Sequence, residues 1–295
     1  MALITPAISR AFIEGVRLPA APRRGRDSPG RRALADTPPL ELKSNDAQSL
    51  VVGSGLIVAA ENVPVETRED LINCTLFAQL AATAAVADAT RVRQWYDAYF
   101  KALMALGWAQ SATEFEDYEF TSKNAEAHKA IIRVLTVLLG PQAAALMVVK
   151  TAIEALQTMN ENSPWITLFD RQSKVGRSAR FQVATAQLDG NGLLQIALVG
   201  FELEATSTLT QVLFFKFSSS STRLTYAAGK ASIYEAALKD QRNAIAQRLA
   251  DYRAAYVGQI ALPPLPGGTR RSLRGRAAAA KRQMRPEAIG RLLLE

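Results

Sequence analysis

Hydrophobic positions crowd most densely between Ile131 and Leu156 (IIRVLTVLLGPQAAALMVVKTAIEAL), where no charge falls between Arg133 and Lys150. Gly140-Pro141 breaks the run and predicts two helices, over about 129–139 and 141–157, with Pro141 in the first turn of the second. Each half is apolar on nearly every side, so each is expected to be buried on more than one face. Both arms fall short of the roughly twenty residues that a membrane span needs. A buried helical pair under a sheet is therefore the favoured reading.

Upstream, SLVVGSGLIVAA (49–60) is a short apolar run punctuated by Gly53 and Gly55, either strand or buried helix. From Val65 the pattern turns helical, with Leu71, Cys74, Leu76, Leu80 and Ala84 spread along one broad face. A second helix is predicted from about Thr90 to Leu106, stopped by Gly107. Trp95, Tyr99, Leu103 and Leu106 recur at three- and four-residue spacing on it, an aromatic stripe that reads as core. TEFEDYEFTSK (113–123) reads as a short edge strand whose acids block unwanted pairing.

The second half changes character. WITLFD (165–170), ARFQVATAQLD (179–189), GLLQIALVGFELEA (192–205) and TQVLFFKFSSSSTRLTYAAG (210–229) are strand-like, and Asp189-Gly190-Asn191-Gly192 is a hairpin turn signal. A last helix is predicted over about 232–256, closed by Gly258. The fold class is thus α+β. A mainly helical segment (45–162) packs on an antiparallel meander of about four or five strands (163–230), with a closing helix in 231–262.

Charge changes the picture at the ends. Residues 1–44 carry eight basic and four acidic groups, and 263–295 carry eight basic and two acidic ones. The chain's +8 therefore resides in two Pro-, Gly- and Arg-rich tails, both expected to be disordered, around a body at −2. Tail residues Arg270, Arg271, Arg274, Arg276, Lys281 and Arg282 are candidate docking positions for a protein, an anionic membrane or, non-specifically, nucleic acid. Within the body the loop 171–180 gathers Arg171, Lys174, Arg177 and Arg180, which could contact an anion or a partner; a solvated loop is the alternative.

The candidate chemistry is sparse. One cysteine and one histidine, Cys74 and His128, leave no Cys/His zinc site and no internal disulfide. No Gly-Lys-Ser/Thr phosphate loop, Gly-x-Ser-x-Gly elbow or calcium-loop spacing is present. No cofactor, metal or small-molecule ligand is inferred. Arg10 and Glu14 interrupt the N-terminal apolar residues, so a secretory signal is not expected. A cytoplasmic location is the default, with export by a non-classical route the alternative.

WYDAYFKALMALGW (95–108), LFDRQSKVGRSARFQ (168–182) and LFFKFSSSSTRL (213–224) together resemble a group of uncharacterised bacterial α+β proteins. The resemblance covers about residues 48–260 and implies a single bacterial α+β body without implying any chemistry. The leading expectation is a non-catalytic protein that binds a protein partner or itself. A membrane-acting secreted effector or toxin-like protein is the alternative, and an enzyme without a recognisable motif the second.

Overall fold

The computed structural model describes residues 5–21, 40–111, 113–119, 124–159, 163–206, 209, 212–213, 216–218 and 222–263. The predicted tail-docking residues Arg270, Arg271, Arg274, Arg276, Lys281 and Arg282 lie outside them.

Strands β1 (Gln48–Val52) and β2 (Gly55–Ala59) form a hairpin, so the glycine-punctuated run is two strands rather than a helix. Gly53 turns the chain at φ 57°, and a Cβ there would meet Gln79 Oε1 at 2.3 Å. That close approach lets the Gln79 side chain complete the turn. Its Oε1 accepts from Ser54 N at 3.0 Å and its Nε2 donates to Val52 O at 3.0 Å.

The hairpin does not stay apart from the later strands. β2 runs parallel to β7 (Ser178–Leu188), β7 pairs antiparallel with β8 (Leu194–Ala205), and β8 with β10 (Thr222–Ile233). β3 (Trp108–Gln110) and β4 (Glu116–Asp117) add to β10, β6 (Lys174–Val175) to β7, and β11 (Val257–Ile260) to β1. Among the described residues this makes one nine-stranded sheet in the order β11-β1-β2-β7-β8-β10-β3, with β5 (Asn124–Glu126) and β9 (Lys216–Ser218) as a separate pair. The expected meander of four or five strands is corrected. The runs 179–189 and 192–205 are strands and 210–229 contains β9 and most of β10, but 165–170 is not a strand, the N-terminal hairpin joins β7 side by side, and that pairing is parallel.

Both faces of the sheet are covered, which explains why β7 and β8 are buried almost end to end. Leu50, Val52, Ile57, Ala184, Ala186, Ile196 and Leu198 face α2 (Val65–Ala85) and α3 (Val92–Ala105). α2 is buried on nearly every side between Arg68 and Ala82, rather than along one face, because α8 (Arg242–Tyr256) closes over it. On the other face lie α4 (Ala127–Leu139), α5 (Ala144–Thr158) and α6 (Pro164–Ser173). The register makes Phe181 and Phe201 neighbours across β7 and β8. Their rings stack at 4.9 Å, and Phe169 of α6 meets Phe181 at 6.0 Å.

Several sequence expectations need correction. Residues 165–170 are helix, not strand: Ser163 Oγ accepts from Ile166 N at 3.4 Å, and Pro164 holds the first turn. Ile166, Leu168, Phe169 and Asp170 are buried in it while Thr167 and Arg171 are exposed. Of the predicted 210–229 strand, β9 and β10 remain, and β10 continues to Ile233 because β8 and β3 pair with it throughout. The final helical segment therefore begins only at α7 (Glu235–Leu238), passes a 3-10 turn (Lys239–Gln241), and ends in α8. Gly258 lies in β11 instead of ending a helix.

α5 starts at Ala144, with Pro141 in the turn before it. α4 buries one face only, leaving Val137 83% exposed. The N-terminal arm expected to be disordered contains α1 (Pro6–Gly15), whose Ile13 is fully buried. Arg248 of α8 donates to the carbonyls of Ile13, Glu14 and Val16 at the end of that helix.

Candidate interaction surface

The register divides the body into two chemically different ends. At one end lie the termini of β2 and β7, the start of β8 and the end of β10, since Ala59 pairs with Ala186, Leu188 with Leu194, and Ala231 with Ile196. The predicted Asp189–Gly192 turn sits there as expected. Asp189 Oδ1 accepts from Asn191 N and Leu193 N, both at 2.9 Å, and Gly192 adopts φ 78°.

That turn presents Leu193 and Leu194 to solvent, 65% and 42% exposed. Tyr234 follows β10 at the same end and is 58% exposed. α5 starts there too, because Ala145 N donates to Gln187 Oε1 at 3.0 Å, and this places Met147 and the α4–α5 connection alongside. Val137 is in the last turn of α4, just before that connection. Val65 opens α2 five residues after Ala60, whose N–H bonds Ala186 O. Ile8, in the first turns of α1, lies near the 3-10 turn, where Gln241 Nε2 reaches Pro6 O. Ile8, Val65, Val137, Met147, Leu193, Leu194 and Tyr234 are the exposed large apolar residues among the described ones; the sheet register brings Leu193, Leu194 and Tyr234 together at this hairpin end, while the others stand on helices of the two covering layers.

Beneath it, Arg68 is fully buried, with the Asp46 charge acting on its guanidinium. It donates to the carbonyls of Val63, Ala60 and Ser44 and to Gln48 Oε1. Burial lowers its pKa, and these four bonds staple the loops around Val63 to β1. Sequence periodicity did not single this residue out, because an arginine in an apolar helix looks like a solvent-facing position.

The opposite end is charged. Here the structure places the predicted loop: Arg171 is in the last turn of α6, Lys174 is in β6, Gly176 turns the chain at φ 64°, and Arg177 leads into β7. Arg171 and Arg177 are exposed, and Lys174 Nζ is 3.6 Å from Asp170. Arg180 is not with them. It is buried under α3, its guanidinium 4.3 Å from the Trp95 ring and its Nη1 donating to Ala89 O. Its register partner Glu202 is held instead by Arg93 and by Thr225 Oγ1. Arg223 binds Asp117 through two nitrogens at 2.8 and 3.1 Å, and Arg91 pairs with Asp88. Much of the cationic chemistry at this end is thus already matched by acids.

The outer layer connects the two ends. Between Glu126 and Glu154 the chain has no acidic residue, but it carries Lys129, Arg133 and Lys150. Lys129 and Arg133 are exposed on α4, one and two turns along from its buried start and in line with Val137. Lys129 pairs with Glu126 at 2.9 Å, and the Arg133 guanidinium lies 5.9 Å from the Tyr118 ring. Cys74 is fully buried, and burial pushes its thiol far above the ordinary range, so it is a packing residue. His128 is buried at the start of α4. Among the described residues no group of three or more His, Cys, Asp or Glu side chains is arranged to hold a metal, and no helix is long and apolar enough to cross a membrane.

No family model matches the sequence, and no curated protein matches it. Three solved structures share part of its course. A delta-endotoxin aligns over 72% of this chain and 90% of its own at 11% identity, with a TM-score of 0.32. The activated Cyt2Ba monomer from Bacillus thuringiensis subsp. israelensis aligns over 45% and 77% at 14% identity, with a TM-score of 0.28. The Evf virulence factor aligns over 74% and 86% at 10% identity, with a TM-score of 0.28.

Proposed function

We propose that this protein works by non-catalytic contact, docking its hairpin end against an anionic membrane surface. The observation that carries the reading is the exposure of Leu193, Leu194 and Tyr234 together at one end of the sheet, in a body whose outer helix α4 bears Lys129 and Arg133 and no acid. Leucine and tyrosine exposed on turns suit the boundary between headgroups and acyl chains, and exposed cations elsewhere on the body favour an anionic surface. Surface docking also fits helices none of which, among the described residues, is long and apolar enough to cross a membrane.

Flotation with anionic and with neutral vesicles tests this. The chain should float with anionic vesicles only. Leu193→Asp and Leu194→Asp should each weaken partition by about tenfold, since a buried leucine contributes about 1.5 kcal/mol. A variant ending at Leu262 should still float, because the contact is placed in the body. Loss of binding on removing 263–295, with both leucine variants unaffected, would move the contact to the tail. Failure to float at all, with self-association or a protein complex that the leucine variants abolish, would establish the protein-partner reading instead.

A further inference from the structure

The start of α4 and the end of α5 meet at one hydrogen bond. Gln157 Nε2 lies 3.0 Å from His128 Nε2. An amide nitrogen has only hydrogens to give, so His128 Nε2 must accept, and the imidazole there is neutral with its hydrogen on Nδ1. The same Nε2 lies 3.4 Å from Glu126 Oε2, on the residue that precedes α4. One atom of His128 thus stands between a donor on α5 and an acceptor at the head of α4.

Adding a proton to that atom reverses which partner it can use. With the Gln157 amide oriented as it is, a protonated Nε2 faces its hydrogens as a second donor but can bond the Glu126 carboxylate. We propose that His128 is an acid-operated latch, releasing Gln157 for Glu126 when protonated and so opening the base of the α4–α5 hairpin. The charged groups facing it are Glu126, which favours the charged imidazole, and Lys129, which opposes it. Two features keep the latch closed at neutral pH. The ring is buried, and it occupies the second position of a helix, where the dipole disfavours a cation. Burial accordingly holds the imidazole below the ordinary histidine range. Its backbone N–H, bonded to Leu213 O at 3.0 Å, does not take part in the exchange.

His128 is the only histidine of the chain, which makes the test direct. Its imidazole resonance should titrate below the free value of about 6.5. Over the same pH range, amide hydrogen exchange in the last turn of α5 should accelerate after correction for intrinsic rates. The acceleration should approach tenfold for each unit of pKa depression. His128→Gln should abolish the step. In Gln157→Glu, an acceptor now faces the protonated ring, so the imidazole should titrate higher and α5 should stay protected in acid. A histidine that titrates at or above 6.5, or an α5 step that survives in His128→Gln or in Gln157→Glu, overturns the proposal.

Discussion

Gly200 lies directly against Tyr96: a Cβ at residue 200 would come within 2.8 Å of Tyr96 Cε1. That contact lets the Tyr96 hydroxyl reach the backbone of two strands. It lies 2.7 Å from Phe201 O and 2.9 Å from Phe181 O, accepts from Phe201 N at 3.1 Å, and receives Gln182 Nε2 at 3.3 Å. α3 is thereby pinned to the middle of β7 and β8, and burial raises the phenol far above its ordinary pKa. Gly200→Ala should destabilise the fold by about 1–3 kcal/mol through overpacking. Tyr96→Phe should cost about 1–3 kcal/mol by leaving buried backbone groups unmatched. Urea denaturation of each variant measures both effects, and the double variant should lose less than the sum because the two residues share one contact.

Arg180 and its two exposed neighbours in the predicted cluster should separate on mutation. Arg180→Ala removes the cation over Trp95 and the bond to Ala89 O from a buried position, and should cost about 2–3 kcal/mol. Arg171→Ala and Arg177→Ala should stay within about 0.5 kcal/mol of wild type, as exposed substitutions do. Thermal melts of the three variants decide this. Equal losses would mean that Arg180 is no more structural than the others.

Asp170 carries a pH signature of its own. It is buried, accepts from Val212 N at 3.0 Å, and has its pKa raised by burial against the lowering influence of that bond and of Lys174. A raised carboxyl binds its proton more tightly in the folded state. Its stabilising share is therefore complete below the unfolded value of about 3.9 and is lost as pH rises through the folded one. Asp170→Asn keeps an oxygen for Val212 N without the charge. It should be more stable than wild type at pH 7 and converge with it near pH 3, measured by denaturant midpoints at both values. A variant less stable at pH 7 would show that the ion pair with Lys174 outweighs the burial of charge.

Arg248 should control α1. Three carbonyls at the end of that helix depend on its guanidinium, and Tyr252 OH adds a bond to Pro19 O. Arg248→Ala should speed amide exchange across Pro6–Gly15 by about tenfold, a local loss of about 1.4 kcal/mol, while α3 exchange is unchanged. Equal acceleration in both helices would mean that α1 is part of the global unfolding unit.

What the amino-acid sequence determined by itself was local. The Asp189–Gly192 turn, the break at Gly140-Pro141, the aromatic stripe of α3 and the burial of Cys74 all follow from turn chemistry or side-chain period within a few residues. A mixed α+β class was legible for the same reason. Tertiary structure decided the rest, because the deciding partners are distant in the chain. β2 reads as a short apolar run until β7 supplies its parallel ladder 127 residues on, from Gly55 to Gln182. Arg68 and Arg180 look like surface charges until carbonyls and Trp95 take up their guanidinium groups in the interior. The apolar end follows from no local pattern. Leu193 and Leu194 come from the β7–β8 turn and Tyr234 from the end of β10, and only the register of the sheet brings them together.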